Sequence, residues 1–339
     1  MKLVKIENPP NRFRRTEVEW DEETPVAAVE VFEETAKSII TRNNSPDVGF
    51  EFSVNPYRGC THACTYCFAR NYHEFLGWGA GTDFETKIVV KTNAPELLRK
   101  ELMRRSWKGD ALAFSFTSDP YLPLEGSYEL TRKCLEVCLE FRNPISIVTK
   151  STLILRDLNL LLELNRLANL IVIFSLPVLD LEISRAIEPN TPTPSARLKA
   201  IEKLTAAGIN VGLAVAPVIP GLTDSEIPQI LRLGADAGVK FAFMSMLRLP
   251  GSVEAYFVAK LAERLPTKKD KILNRIREMR DGKLSNSNFG ERMRGAGEHW
   301  NVITQLFRLS CKRYGINTEL IEFKKDTFRR PRQQMSLFD

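Results

Sequence analysis

From about residue 50 to residue 250, short apolar segments alternate with longer amphipathic segments. The short segments are rich in β-branched and aromatic residues, which predicts buried strands. The longer segments repeat an apolar residue every three or four positions, which predicts helices with one buried face. The predicted strands cover residues 50–54, 87–91, 111–116, 145–149, 170–176, 211–218 and 241–247. The predicted helices between them cover residues 124–141, 154–167 and 194–207.

Repeated strand–helix units predict a parallel sheet whose crossover connections are right-handed. The units suffice for about six strands, which is fewer than the eight of a closed barrel. We therefore predict an α/β fold over residues 46–250, in the form of a partial (β/α)6 barrel like an incomplete TIM barrel. In such barrels the active site lies at the carboxyl ends of the strands.

The pattern changes on both sides of this predicted barrel. Residues 1–45 are predicted to form an N-terminal extension with one helix over residues 25–40, and residues 251–323 a mostly helical C-terminal extension. Residues 324–339 form a tail with five basic and two acidic side chains. Its polar composition predicts disorder.

The composition is that of an ordinary globular protein, with 43% hydrophobic and 27% charged residues. The longest apolar segment, residues 170–179, is far shorter than the ~20 residues that span a membrane. The first residues lack the apolar core of a signal peptide. We therefore expect a cytoplasmic protein without a membrane partner. The net charge of +6 permits contact with nucleic acid, although a basic segment is often only a solvated surface.

Three of the six cysteines lie in one short segment, as Cys60, Cys64 and Cys67. Cysteine thiolates hold iron–sulfur clusters, and a cubane normally takes four of them. Three thiolates leave one iron without a protein ligand, and an open coordination position is typical of a reactive site. The other cysteines, at positions 134, 138 and 311, do not have the spacing of a second cluster.

A zinc site is the alternative interpretation of the cysteine segment. His62 and His73 are close in sequence and would allow a site of three cysteines and one histidine. Zinc loops usually combine one Cys-x2-Cys pair with a second pair of ligands further along the chain. This chain has no second cysteine pair at that spacing.

The spacing Cys-x3-Cys-x2-Cys, with Tyr66 directly before the third cysteine, resembles the signature of the radical S-adenosyl-L-methionine (radical SAM) enzymes. The resemblance implies a [4Fe-4S] cluster whose open iron binds S-adenosyl-L-methionine (AdoMet). It also implies cleavage of AdoMet to a 5′-deoxyadenosyl radical that abstracts hydrogen from a substrate. An electron donor such as flavodoxin or ferredoxin is then expected, and the partial barrel is the fold of that family.

Polar or small residues follow the predicted strands, at the barrel end where AdoMet would bind. Lys150 and Arg197 are candidates to bind its carboxylate or ribose, and Ser118 and Ser175 are candidate hydrogen-bond donors. Such residues can also simply solvate the rim of a barrel. The full set of candidate cofactor-binding residues is Tyr66, Ser118, Lys150, Ser175, Arg197 and Ala216.

Several of these motifs resemble those of the spore photoproduct lyase-like branch of the radical SAM enzymes. They are Thr117-Ser118-Asp119, Thr149-Lys150 and Glu188-Pro189 followed by Arg197. The lyase has a cysteine two residues before the serine, and that cysteine returns a hydrogen atom to the repaired base. Here the position is Phe116, which has no S–H group. The resemblance therefore implies radical chemistry but leaves the substrate and the radical quencher open.

The C-terminal residues 334–338, which include Gln334, Leu337 and Phe338, resemble the peptide that binds the bacterial sliding clamp. Two apolar side chains on a tail could fill an apolar pocket of a partner. The alternative is a tail that folds back onto the barrel. A clamp peptide would place the protein at DNA.

Three functions are therefore open at this point. The first is a radical SAM enzyme that acts on DNA, in repair or base modification. The second is a radical SAM enzyme that acts on RNA, a peptide or a small molecule. The third is a non-enzymatic module that binds nucleic acid and is stabilised by a metal.

Overall fold

The structure is a computed structural model that describes residues 4–6, 29–318 and 326–331. Within these residues the strands form two sheets. The strands are β1 (Val4–Ile6), β2 (Glu30–Glu34), β3 (Ile40–Arg42), β4 (Phe52–Val54), β5 (Tyr57–Arg58), β6 (Lys87–Lys91), β7 (Leu112–Phe114), β8 (Ile145–Thr149), β9 (Leu170–Ser175), β10 (Val211–Val218) and β11 (Phe241–Met246).

The helices are mostly α-helices, with short 3-10 helices at Phe68–Leu76, Thr152–Asp157 and Asp224–Glu226. The α-helices are α1 (Thr82–Thr86), α2 (Ala94–Met103), α3 (Glu125–Tyr128), α4 (Leu130–Phe141), α5 (Leu158–Leu167), α6 (Leu181–Ile187), α7 (Pro194–Ala206), α8 (Ile227–Asp236), α9 (Ser252–Arg264), α10 (Pro266–Glu278) and α11 (Gly297–Arg313).

The larger sheet has the order β11-β10-β9-β8-β7-β4-β3. Strands β4, β7, β8, β9, β10 and β11 are parallel, and β3 closes one edge by pairing antiparallel to β4. Six parallel strands with helical crossovers are the predicted partial barrel, so the predicted fold is confirmed. The carboxyl ends of these strands meet at one end of the barrel, which we call the mouth.

The smaller sheet contains β6, which forms at the predicted residues 87–91 but lies outside the barrel. Strand β6 pairs in parallel with β2 and antiparallel with β5. Strand β2 contradicts the predicted helix over residues 25–40, which is therefore wrong for the described part of that range. The glutamates of β2 suit a helix, but Val31 is fully buried and the whole strand pairs with β6. Tertiary pairing thus overrides local propensity.

The apolar positions that predict the strands and helices form the core of the barrel. Phe114, Val172 and Leu213 are fully buried on barrel strands, as are Cys134 and Cys138 on α4. These two cysteines are four residues apart, so they lie on the same buried face of the helix. The extension after the barrel is helical over α9, α10 and α11, as predicted.

Part of the predicted disordered tail is docked on the barrel, so the prediction is wrong for residues 326–331. Phe328 stacks on Phe141 with ring centroids 6.2 Å apart. The Arg329 N–H donates to the Phe141 carbonyl over 2.8 Å, and Arg330 donates to the Trp107 carbonyl over 2.6 Å. Phe328 also lies against Gly109, where a Cβ atom would come within 2.4 Å of it. Residues 324–325 and 332–339 lie outside the described residues.

The docked segment contacts the barrel at the end opposite the mouth. Residues 104–109 precede β7, and residues 141–142 precede β8. Both therefore lie at the amino ends of barrel strands. Among the described helices, none is long and apolar enough to cross a membrane.

We predict that Phe328→Ala releases the docked segment. Half-burial of a phenylalanine contributes about 1–2 kcal/mol, so the undocked population should rise about tenfold. Trypsin should then cut after Arg329 about tenfold faster, as measured by mass spectrometry of timed digests; the bond after Arg330 precedes Pro331 and resists trypsin in both proteins. Leu309→Ala removes an exposed apolar side chain from α11 and serves as the control. Equal digestion of the Phe328 variant and the unaltered protein would contradict the docking.

Candidate active site at the barrel mouth

The cysteine segment follows β4 and β5 and lies at the mouth of the barrel. It begins at Gly59, whose φ of 79° favours glycine. A Cβ atom on Gly59 would come within 2.8 Å of the Lys87 carbonyl oxygen. The Cys60 N–H donates to the Phe84 carbonyl over 2.9 Å. The loop is therefore held against β6 and α1 by contacts that leave little room for movement.

A buried arginine, Arg70, holds the other end of the cysteine segment. Its Nε donates to the Cys64 carbonyl over 2.9 Å, and its Nη1 donates to the Gly81 carbonyl over 2.9 Å. Its Nη2 pairs with Glu85. The guanidinium lies 4.1 Å from the ring centroid of Tyr256, on α9. Nothing in the local sequence pattern separates Arg70 from a surface arginine, so its role is visible only in the structure.

The three thiols are held together and largely out of water. Cys60 and Cys64 are buried, and Cys67 is half-buried. Burial raises the pKa of Cys60 to about 12, and the nearby Asp119 and Cys67 add to this effect. Burial also raises the pKa of Cys64, although Lys150 acts in the opposite direction. Such thiols become thiolates only when a positive metal centre compensates, and thiolates are the ligands of iron–sulfur clusters. The donor set therefore fits such a cluster.

The arrangement does not resemble a site for a single metal ion. Within the described part of the chain, no three histidine, cysteine or acidic side chains gather closely enough to ligate one ion. A zinc ion needs its ligands around one point, whereas each thiolate of a cubane binds a different iron. Nε2 of His73 lies 2.8 Å from the Lys87 carbonyl, and Nδ1 of His62 lies 3.5 Å from Asp119. Both histidines thus have protein partners.

Three of the predicted cofactor-binding residues meet around one buried carboxylate, that of Glu188. The Tyr66 hydroxyl donates to Glu188, and Nη2 of Arg197 lies 2.5 Å from its Oε2. Nζ of Lys150 lies 3.7 Å from its Oε1. Burial alone would raise the pKa of Glu188, but Arg197 and Lys150 outweigh it and hold the pKa below its usual value. Glu188 therefore carries a negative charge that organises the two cations.

The two cations around Glu188 differ in how far their side chains are exposed and bound by protein partners. Arg197 is fully buried, and its guanidinium also donates to the carbonyls of Ser175 and Pro192 over 3.0 and 2.9 Å. Lys150 keeps 18% of its side chain exposed and lies 5.7 Å from the Tyr66 ring centroid. Burial would lower the pKa of Lys150, but Cys64 and Glu188 raise it. Lys150 is thus a charged ammonium that still faces the mouth, and a cofactor contact by Arg197 stays a prediction.

Asp119 connects the cysteine segment to the end of β8. Its carboxylate accepts hydrogen bonds from the Thr149 hydroxyl over 2.7 Å and from the Lys150 N–H over 2.8 Å. The neighbouring Ser118 hydroxyl donates to the Gly59 carbonyl over 2.5 Å. Asp119 was not among the predicted site residues, although it directly follows Ser118 in the motif. Both residues therefore support the cysteine segment, and a contact of Ser118 with a cofactor stays a prediction.

The remaining predicted residues lie at the next two strand ends. The Ser175 hydroxyl, at the end of β9, donates to the Ala216 carbonyl on β10 over 3.0 Å.

Phe116 stacks on Phe50 with ring centroids 4.0 Å apart. The backbone φ angles of Ser115 and Phe116 are 115° and 105°, values that residues other than glycine rarely adopt. Backbone strain of this kind is concentrated at functional sites.

A family model described as the radical SAM superfamily matches residues 54–234 of this chain, which is more than half of its 339 residues. An uncharacterised protein of Mycobacterium tuberculosis is 42% identical over 238 residues, covering 70% of this chain and 69% of its own length. An uncharacterised protein of Acidianus two-tailed virus is 32% identical over 247 residues and is covered to 80%.

Solved structures of spore photoproduct lyase have the same fold. A complex of that lyase with dinucleoside spore photoproduct superimposes with a TM-score of 0.60 at 17% identity, covering 84% of this chain and 80% of the other. A cysteine-to-serine variant of the lyase gives a TM-score of 0.59 at 16% identity. The family match spans the cysteine segment and most of the barrel, so the resemblance noted in the sequence is confirmed: the chain belongs to the radical SAM superfamily.

Proposed function

We propose that this protein is a radical SAM enzyme that uses a [4Fe-4S] cluster on Cys60, Cys64 and Cys67, together with AdoMet, to abstract a hydrogen atom from its substrate. The observation that carries the proposal is the set of three cysteines, two buried and one half-buried, at the barrel mouth of a chain of this superfamily. When bound, the cluster supplies the electron that cleaves AdoMet to a 5′-deoxyadenosyl radical. A flavodoxin or ferredoxin is the proposed electron donor.

The residues around the thiols fix their positions and exclude water. Arg70 and Ser118 donate to backbone carbonyls of the cysteine segment, those of Cys64 and Gly59. Phe84 and Ala69 are buried apolar side chains that pack with Cys60 and Cys67. A reactive site of this kind needs its ligands preorganised and its surroundings dry.

Lys150 is the proposed partner of the AdoMet carboxylate. Its ammonium is charged, partly exposed and adjacent to Cys64 and Cys67. Glu188 and the Tyr66 ring fix the direction of the Lys150 side chain, and Arg197 anchors Glu188. Ser118, Ser175 and Ala216 remain proposed contacts for the other parts of AdoMet.

DNA is the proposed substrate. The basic tail and its clamp-like peptide support this choice, and so does a fold shared with an enzyme that was solved with a dinucleoside photoproduct. Phe116 has no hydrogen atom to return in the way that a thiol does. The proposed reaction on DNA therefore ends with a different hydrogen donor from that of the lyase.

We predict that Cys60→Ala, Cys64→Ala and Cys67→Ala each abolish formation of 5′-deoxyadenosine. Each removes one of three ligands, so the remaining two cannot hold the cluster. The measurement is iron and sulfide content after anaerobic reconstitution, followed by chromatography of the dithionite-reduced reaction with AdoMet. Cys311→Ala removes a buried cysteine from α11 and should keep both iron and activity.

Two results would contradict the proposed function. One is full 5′-deoxyadenosine formation by any of the three cysteine variants. The other is tightly bound zinc in anaerobically purified protein that takes up no iron and does not bind AdoMet, which would support the non-enzymatic alternative.

We predict that Glu188→Gln destabilises the fold by about 3–5 kcal/mol at pH 7, because it leaves Arg197 buried without a counter-charge. The pKa of Glu188 is lowered in the folded protein, so its contribution is present above the unfolded value of about 4.3 and is lost as the pH falls through the folded value. Urea unfolding should therefore show a large difference at pH 7 that shrinks below about pH 4.

Glu182→Gln is the matched control for this prediction. Glu182 is exposed on α6, the same helix that leads to Glu188. Its loss should cost less than about 1 kcal/mol. If the two variants had equal stability at pH 7, the buried carboxylate would not be organising the site.

We also propose that residues 334–338 bind a bacterial sliding clamp. Gln334, Leu337 and Phe338 are the side chains expected to make the contact, and the docked residues 326–331 leave the barrel mouth uncovered. Deletion of residues 333–339 should abolish binding to purified clamp in surface plasmon resonance. A chain with Lys324 and Lys325 changed to alanine should still bind. Undiminished binding by the truncated chain would rule out this contact.

A further inference from the structure

Three arginines from distant parts of the chain meet beside the cysteine segment. Arg248 follows β11 at the mouth, Arg280 follows α10, and Arg292 lies in the loop between α10 and α11. Nη2 of Arg280 donates to the Leu247 carbonyl over 2.7 Å and to the Arg292 carbonyl over 2.9 Å. These bonds hold the three side chains in one group, which we call the arginine cluster.

The arginine cluster has fewer negative partners than positive charges. Asp47 pairs with Arg292, whose side chain is 12% exposed. Arg280 is only 5% exposed, and its Nε and Nη1 have no hydrogen-bond partner. The Nε of Arg248 is likewise buried without a hydrogen-bond partner among the described residues. Buried charges in native proteins are normally paired, so the cluster lacks an anion.

The electrostatic surroundings of Arg248 and Arg280 are also consistent with a missing anion. Burial lowers the pKa of Arg248, Arg292 lowers it further, and Tyr72 and Asp47 act in the opposite direction. For Arg280, burial lowers the pKa and Arg248 adds to the effect. Mutual repulsion of this kind is relieved by a bound anion.

Exposed aromatic rings lie next to the arginine cluster. The Arg248 guanidinium is 5.9 Å from the ring centroid of Phe68, the residue that follows Cys67. The Arg292 guanidinium is 4.3 Å from the ring centroid of Phe289. Phe68, Tyr72 and Phe289 are 36%, 42% and 60% exposed. The mouth thus presents the partly exposed guanidinium of Arg248, whose Nε has no partner, with flat apolar surfaces beside it.

We propose that the arginine cluster binds a phosphodiester group of a polynucleotide strand, with bases of that strand stacked on Phe68, Tyr72 and Phe289. Guanidinium groups bind phosphate oxygens through paired hydrogen bonds. Proteins that bind single strands combine cationic side chains with aromatic stacking surfaces. An acidic peptide would satisfy the arginines but not the exposed rings, so the strand fits better. That the bound strand is the substrate rests on the proposed function; that the strand binds here does not.

The test is binding of a fluorescent single-stranded DNA, and of an RNA of the same sequence, to the full-length protein by anisotropy at several salt concentrations. Arg248→Gln should weaken binding about tenfold and reduce the slope of log K against log salt by about 0.7, the value for one phosphate of a single strand. Arg248→Lys keeps the charge and should retain most of the slope. Arg232→Gln, on α8 with a side chain 49% exposed, should bind like the unaltered protein.

A second variant separates stacking from charge. Phe289→Ala should weaken binding roughly tenfold while leaving the salt slope unchanged, because no phosphate contact is lost. Phe289 is exposed, so Phe289→Ala should stay folded. It therefore tests the proposal even if a change in the arginine cluster destabilises the protein. A thermal melt of each variant checks this point.

Binding of either the DNA or the RNA with these variant effects supports the proposal. Equal affinity and equal salt slope for Arg248→Gln and the unaltered protein would overturn it. Displacement of the strand by polyglutamate at equal charge concentration would also overturn it, in favour of an acidic peptide. The measurement requires no turnover, so failure of AdoMet cleavage would refute the proposed function and leave this result standing.

Discussion

The site depends on one buried negative charge, that of Glu188. A carboxylate without solvent contact is stable only when cations and donors surround it, and here Arg197, Lys150 and Tyr66 do so. Each of these partners comes from a different part of the barrel: the cysteine segment, the end of β8 and helix α7. The same interactions that neutralise Glu188 therefore tie the cysteine segment to two barrel elements. Without that charge, Lys150 and Arg197 would repel each other across the site.

Much of the fold follows from local sequence patterns, because the barrel strands are short apolar segments with mostly buried or half-buried residues. The exception is β2, whose glutamates favour a helix although the strand pairs along its whole length with β6. Pairing partners more than 50 residues apart leave no signal in a local pattern. The docked residues 326–331 are a similar case, since the surface that receives Phe328 is formed by the ends of other elements.

The cysteine spacing is local, so membership of the superfamily is recognisable from the sequence alone. The supporting residues were not equally visible. Lys150 follows a strand, and Arg197 follows the Glu188-Pro189 motif on the next helix, so both are predictable from the sequence as candidates. That the Glu188 carboxylate joins them is visible only in the structure. Arg70 and the arginine cluster were missed because arginines are common and their burial depends on the tertiary fold. Local patterns thus identify ligands and strand ends, whereas charge compensation becomes visible only in three dimensions.

Residues 326–331 and the cysteine segment lie at opposite ends of the barrel. The chain passes Phe328 at the amino ends of β7 and β8, while the thiols and the arginine cluster open at the carboxyl ends of the strands. A macromolecule that bound the chain at this segment would meet the end of the barrel opposite the mouth. The end of the barrel that carries the thiols would then stay accessible, because it lies opposite the docked segment.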